Sequence, residues 1–198
     1  MKKKILVIAA HPDDEILGCG GSMAMHKKKL NEDVFVVILG EGITSRDKIR
    51  NTKLRKKQLK NLKERALKAN RVLGVKNVKF LDIPDNRFDS LNFLDIVKSI
   101  ENIVFKLKPN IVYTHSGFDL NIDHKITSDA VVTALRPQNN KFLEKIIFFE
   151  IPSSTEWESS QKKIFQPNYY NNIENYLSLK IKALKHYSPE MKKWPHPR

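Results

Sequence analysis

Residues 4–22 read KILVIAAHPDDEILGCGGS. An apolar run, Ile5 to Ala10, passes without a break into His11, Pro12, Asp13, Asp14 and Glu15, and then into a glycine-rich stretch. Aliphatic residues filling Lys4 to Ala10 predict a short buried strand. Three carboxylates beside one imidazole repel one another, so a compensating charge is expected close by.

Working outward, β-rich runs recur at Val34–Leu39, Val78–Leu81, Ile111–Thr114 and Lys145–Ile151. Helical patterns fall between them, at about Leu17–Leu30, Asn51–Leu73, Leu91–Leu107 and Ile122–Leu135, with a last one at Ile173–Tyr187. In the third, Leu94, Val97, Ile100, Ile103, Val104 and Leu107 fall on one face. Gly74 is placed to cap the second helix, and Pro109 and Pro137 to stop the third and fourth. Strand–helix alternation predicts an α/β fold, a mainly parallel sheet sandwiched by helices, in a single domain over residues 1–198. The polar stretch Pro152–Tyr170 reads as a long loop.

Cys19 is the sole cysteine, which excludes an intrachain disulfide and suits a cytoplasmic setting. The apolar run after Lys2–Lys4 is too short for a signal peptide, and no stretch reaches the length of a membrane span. The net charge is +14, and Arg46 to Arg71 holds twelve Lys/Arg against Asp47 and Glu64. That segment reads either as a solvated helix face or as a surface for an anionic partner: nucleic acid, acidic lipid or a phosphorylated substrate. It contains no Phe, Tyr or Trp to stack on bases, so nucleic acid is not expected.

In an open α/β sheet, ligands bind at the carboxyl ends of the strands. HPDDE follows the first strand, and THSGFDLNIDHKITSDA, residues 114–130, follows the run Ile111–Thr114. Together they bring His11, His115 and His124 to one edge with Asp13, Asp14, Glu15, Asp119, Asp123 and Asn121. Two imidazoles and a carboxylate suit zinc or a similar first-row ion with positions left open for water and substrate. A second carboxylate beside the ligands can then accept a proton.

These residues resemble the PIG-L/LmbE-type de-N-acetylases, metal-dependent enzymes that remove acetyl groups from N-acetylated sugars on a Rossmann-like fold. AHPDDE and GCGGS carry the resemblance, with DLNIDH; it continues through GEGITSR, LGVKNVKFLDIPDNRFD, ALRP, PSSTEW, PNYY and HPR. The resemblance implies His11, Asp14 and His124 as metal ligands, with Zn2+ as the cofactor and Fe2+ or another divalent ion as the alternative. It implies Asp13 as general base and Asp123 as a residue orienting the adjacent ligand His124. Arg46 and Asp89 fall where members contact sugar hydroxyls or phosphate. His115 is expected either to contact substrate or to donate a hydrogen bond to the backbone or Asp119. The expected partner is a small N-acetylated sugar, and the family often forms homo-oligomers.

One position departs from the pattern. Many members carry histidine three residues before the last ligand, and this chain carries Asn121. An amide can donate to a developing oxyanion but cannot transfer a proton at neutral pH. Asp13 is therefore expected to serve as both base and acid.

Overall fold

A computed structural model describes residues 2–159 and 164–198. Positions 160–163 of the polar stretch Pro152–Tyr170 lie outside that description. Five strands, β1 (Lys4–Ala9), β2 (Asp33–Gly40), β3 (Asn77–Ile83), β4 (Ile111–His115) and β5 (Lys145–Phe149), form one sheet in the order β3-β2-β1-β4-β5. Every pairing is parallel, with Ile5 opposite both Val34 and Ile111. Helices α1 (Asp14–Lys28), α2 (Lys56–Leu73), α3 (Phe93–Leu107), α4 (Ile122–Ala134) and α5 (Leu177–Leu184) cover it.

The two cores follow from the strand period. Ile5 and Val7 point to the face packed by α1, α2 and α5, with Ile16, Met23, Leu62, Leu73 and Ala183. Leu6 and Ile8 point to the other, with Ile96, Val97, Ile100 and Val131 from α3 and α4. β1 is thus buried on both faces, which its unbroken apolar run requires. Among the described residues no helix is long and apolar enough to cross a membrane.

Several boundaries differ from the sequence reading. α1 begins at Asp14 rather than Leu17, so Asp14 and Glu15 occupy its first turn, where carboxylates meet the positive end of the helix dipole. α2 begins at Lys56 rather than Asn51, after the turns that precede it. In α3, Leu94 is 56% exposed and Ile96 is buried in the core. At about 100° per residue Leu94 lies roughly 100° from the centre of the buried stripe Ile96, Val97, Ile100 and Val104, so it faces solvent. Gly74 does cap α2, at φ +79°, its N–H donating to the Asn70 and Arg71 carbonyls.

The glycine-rich stretch lets α1 lie close to its neighbours. A Cβ on Gly18 would meet the Phe149 ring at 2.3 Å, and one on Gly21 would meet Ile173 at 2.5 Å. Gly18→Ala is expected to cost about 2 kcal/mol or more through overpacking, against a helix-propensity gain of about 1 kcal/mol. The variant should show a lower midpoint in urea; an unchanged or higher midpoint would contradict this packing.

Candidate active site

The chain runs outward from β1 to β2 and β3, then returns to place β4 on the opposite side of β1. The connections leaving β1 and β4 diverge there, and a crevice opens at the carboxyl ends of the two strands. His11 to Asp14 on one side and Asn121 and His124 on the other border that crevice, a cleft of about 270 Å³. His11, Asp13, Asp14, Arg46, Asn121 and His124 line it, together with Asp85, Asn86, Glu190 and Arg198.

His11, Asp14 and His124 each offer a donor atom within 4.8 Å of the others. Asp14 Oδ2 lies 3.3 Å from His11 Nδ1 and 3.1 Å from His124 Nε2, and accepts the His11 backbone N–H at 2.9 Å. His124 Nε2 and Asp14 Oδ1 are buried without a hydrogen-bond partner. Buried lone pairs left unpaired are costly unless something occupies them. Two imidazoles, one carboxylate and unpaired donor atoms fit a divalent cation.

His11 also belongs to a second group, with Asp85 and Asp123. Its Nε2 lies 2.9 Å from Asp123 Oδ2 and 3.4 Å from Asp85. The Asp123 carboxylate is already held, however, accepting the Asn86 N–H at 2.7 Å and the Phe88 N–H at 3.1 Å. It therefore fixes His11 with Nε2 as donor and leaves Nδ1 facing Asp14. Burial works to lower the His11 pKa, but Asp123, Asp14 and Asp85 outweigh it and push it up to about 10. Excess negative charge of this kind is what a bound cation would neutralise.

The orienting pairs cross relative to the sequence order. Asp123 does not face the adjacent His124, because neighbouring helical residues point about 100° apart; it faces His11. Behind His124 stands Asp119, its Oδ1 3.1 Å from His124 Nδ1. Burial raises the Asp119 pKa, but His124, Ser154 and Thr155 outweigh it and bring it to about 2. Thr155 donates to Asp119 Oδ2 at 2.7 Å, and Ser154 donates to Oδ1.

Asp13 sits at φ +113°, strained for a non-glycine residue. Its N–H donates to Glu15 Oε2 at 3.0 Å. Burial raises its pKa well above the ordinary carboxylate range, and Arg198 opposes that shift. Arg198 Nη1 reaches Asp13 Oδ2 at 3.3 Å, and Nη2 lies 3.6 Å from Asp14 Oδ1. Here is the nearby positive charge that the HPDDE run calls for.

Glu15 is wholly buried and holds three elements together. It accepts from the Asp13 N–H, from Asn70 Nδ2 of α2 at 2.8 Å and from the Tyr187 hydroxyl at 2.8 Å. Burial pushes its pKa up to about 7, against those hydrogen bonds. Tyr187→Phe should cost about 1–3 kcal/mol by taking one donor from this buried carboxylate, read as a lower urea midpoint; no change would refute the linkage.

Other sequence expectations fare differently. Asn121 lines the cleft, but its Oδ1 caps α4 by accepting the Asp123 N–H at 2.8 Å, and its Nδ2 donates to Asn86 at 3.0 Å. His115 is fully buried, does not line the cleft and stacks on His124 with ring centroids 4.0 Å apart. Its Nε2 accepts the Ala10 N–H at 2.8 Å, and burial holds its pKa well below the usual imidazole value. It packs against the ring of His124, and its Nε2 lies 3.6 Å from Asp14 Oδ2. Asp89 is exposed and outside the cleft; the turn after β3 brings Asp85 and Asn86 in instead. Asp123 is buried and positions His11 without lining the cleft. Arg46 stands on the rim, paired with Glu190 at 2.5 Å. The sequence reading missed Arg198, Asp85 and the pairing of Asp119 with His124. Its only pointer to Arg198 was the HPR motif.

Fold and cleft together place the chain among Rossmann-like α/β proteins with a candidate divalent-metal site at the switch point. Comparison with known proteins narrows the class. The family model described as PIG-L, GlcNAc-PI de-N-acetylase, matches residues 6–135, and the chain belongs to that family. It is 29% identical over 190 residues to the uncharacterized deacetylase YaiS of Escherichia coli (strain K12), covering 93% of this chain and 90% of that protein. To the probable N-acetyl-alpha-D-glucosaminyl L-malate deacetylase 2 of Bacillus subtilis (strain 168) it is 33% identical over 144 residues, covering 68% of this chain and 62% of that one. In structure it resembles the N,N'-diacetylchitobiose deacetylase of Pyrococcus horikoshii, with a TM-score of 0.75 at 19% identity, over 96% of this chain and 72% of that chain.

Proposed function

We propose that this protein is a metal-dependent N-deacetylase. It hydrolyses the acetamide of an N-acetylated sugar or sugar conjugate to acetate and a free amine. The observation that carries the reading is the donor set His11, Asp14 and His124, with unpaired buried lone pairs, beside the carboxylate Asp13 in one cleft. Family membership and the sugar deacetylases among its relatives support it.

Zn2+ suits two imidazole nitrogens and one carboxylate, and Fe2+ uses the same set. A divalent ion held by His11, Asp14 and His124 would supply Lewis-acid polarisation and lower the pKa of water at the site. Asp13 is the group to take a proton from the attacking water as the water oxygen bonds to the amide carbon. The same carboxyl then returns the proton to nitrogen as the C–N bond breaks. Arg198 and the Asp13 N–H bond to Glu15 hold the carboxylate in position through both transfers. Asp123 and Asp119 fix the ring orientations of His11 and His124. Asn121, lining the cleft with one amide N–H given to Asn86, is the group whose second N–H would donate to the oxyanion. Arg46 and Asn86 on the rim are the groups for sugar hydroxyls.

The test is a screen for acetate release from N-acetylglucosamine, its phosphates, nucleotide sugars and lipid-linked sugars, with metal content measured on the same preparation. Acetate from one or more of them at stoichiometric metal is the expected result. A fully metal-loaded protein that releases acetate only from non-sugar acetamides would overturn the sugar reading.

A further inference from the structure

Two segments beside the cleft expose large apolar side chains flanked by lysines. In the first, Ile49 is 81% exposed and Leu54 71% exposed. Lys48, Lys53, Lys56 and Lys57 surround them in sequence and are themselves exposed. In the second, Trp194 is 92% exposed and directly follows the exposed Lys192 and Lys193.

The segments are far apart in sequence but joined at the mouth of the cleft. Arg46 Nη2 of the first meets Glu190 Oε2 of the second at 2.5 Å, and both residues line the cleft. Arg50 is anchored to Glu41, just beyond β2, at 2.7 Å, and Arg55 to Asp47 at 2.8 Å. The first segment is therefore pinned at the carboxyl end of the sheet, with its lysines and apolar side chains left outward. Leu120 and Trp157 are exposed as well, Trp157 in edge contact with His196 of the second segment.

We propose that this rim is a docking surface for an anionic lipid bilayer. Aliphatic side chains such as Ile49 and Leu54 neither stack on bases nor hydrogen-bond to them. They can, however, enter the headgroup–acyl boundary, and Trp194 is the residue type that settles at that depth. The surrounding lysines match the negative surface potential of anionic lipids, and a net charge of +14 reinforces the attraction. Docking turns the cleft mouth toward the headgroups. For the deacetylase reading, on which this consequence rests, an amino sugar carried on a lipid is then delivered without leaving the bilayer.

Co-sedimentation tests the docking. The full chain is mixed with vesicles of phosphatidylcholine alone, or with one third phosphatidylglycerol, at low and high salt. The protein should pellet with the anionic vesicles, and high salt should release part of it. The double variant I49S/L54S should lose about tenfold in bound fraction, with an unchanged melting temperature and unchanged acetate release from a soluble N-acetylated sugar. Equal pelleting with neutral and anionic vesicles would overturn the proposal, and so would full vesicle binding by I49S/L54S. Tight binding to an RNA oligonucleotide without vesicle binding would assign the charge to nucleic acid instead and overturn it as well. Acetate release measured without vesicles reports on the deacetylase reading separately, so either inference can fail alone.

Discussion

Asp13→Asn is expected to lower kcat by about a thousandfold while leaving metal content unchanged. The substitution keeps the size of the side chain and an oxygen for Arg198, so the strained backbone at φ +113° and its Glu15 contact are preserved. It removes the ability to accept a proton from water and return one to the leaving amine. Asn121, which lines the cleft, has no transferable proton at neutral pH, and His115, behind the cleft wall, has its Nε2 taken up by the Ala10 N–H. With the proposed proton carrier gone, the loss should appear in kcat, with KM changed by no more than about twofold. Steady-state kinetics beside metal analysis decide the matter. A variant retaining more than about a tenth of wild-type kcat would mean that another group moves the proton.

His124→Ala should abolish measurable turnover and weaken metal binding by well over the 10- to 100-fold typical of losing an orienting residue. The contrast with two milder variants makes the prediction specific. Asp119→Asn acts on His124 and Asp123→Asn on His11, through contacts at 3.1 Å and 2.9 Å. Each should weaken metal binding by about 10- to 100-fold and leave activity recoverable with added metal. His124→Ala should not recover, because one of only two imidazoles in the donor set has gone. Calorimetric titration of metal into the stripped proteins gives the ranking. If Asp123→Asn proved as damaging as His124→Ala, the ion would instead be held by His11, Asp85 and Asp123.

How much of this was legible beforehand depended on how local each signal is. The parallel α/β arrangement could be read because β1 is an unbroken apolar run and the helices repeat at their own period. The approach of HPDDE to DLNIDH followed from the rule that both lie at the carboxyl ends of strands. Where local pattern met tertiary geometry, the reading slipped. Leu94 reads as part of the apolar stripe of α3, yet it lies roughly 100° around the helix from the centre of the buried Ile96, Val97, Ile100 and Val104 and faces solvent. Asp123 is adjacent to His124 in sequence, yet the helix turns it toward His11, 112 positions away.

The sequence alone therefore determined the fold class, the pair of loops that meet, and the residue types available for a metal and a proton acceptor. All of these rest on interactions within a few residues or on the period of a strand or helix. Only the tertiary structure decided which carboxylate backs which imidazole, that Arg198 reaches Asp13 across 185 positions, and that Tyr187 holds Glu15 across 172. Such contacts are selected by the packing of α2, α5 and the C-terminal segment against α1, and no local pattern along the chain encodes that packing.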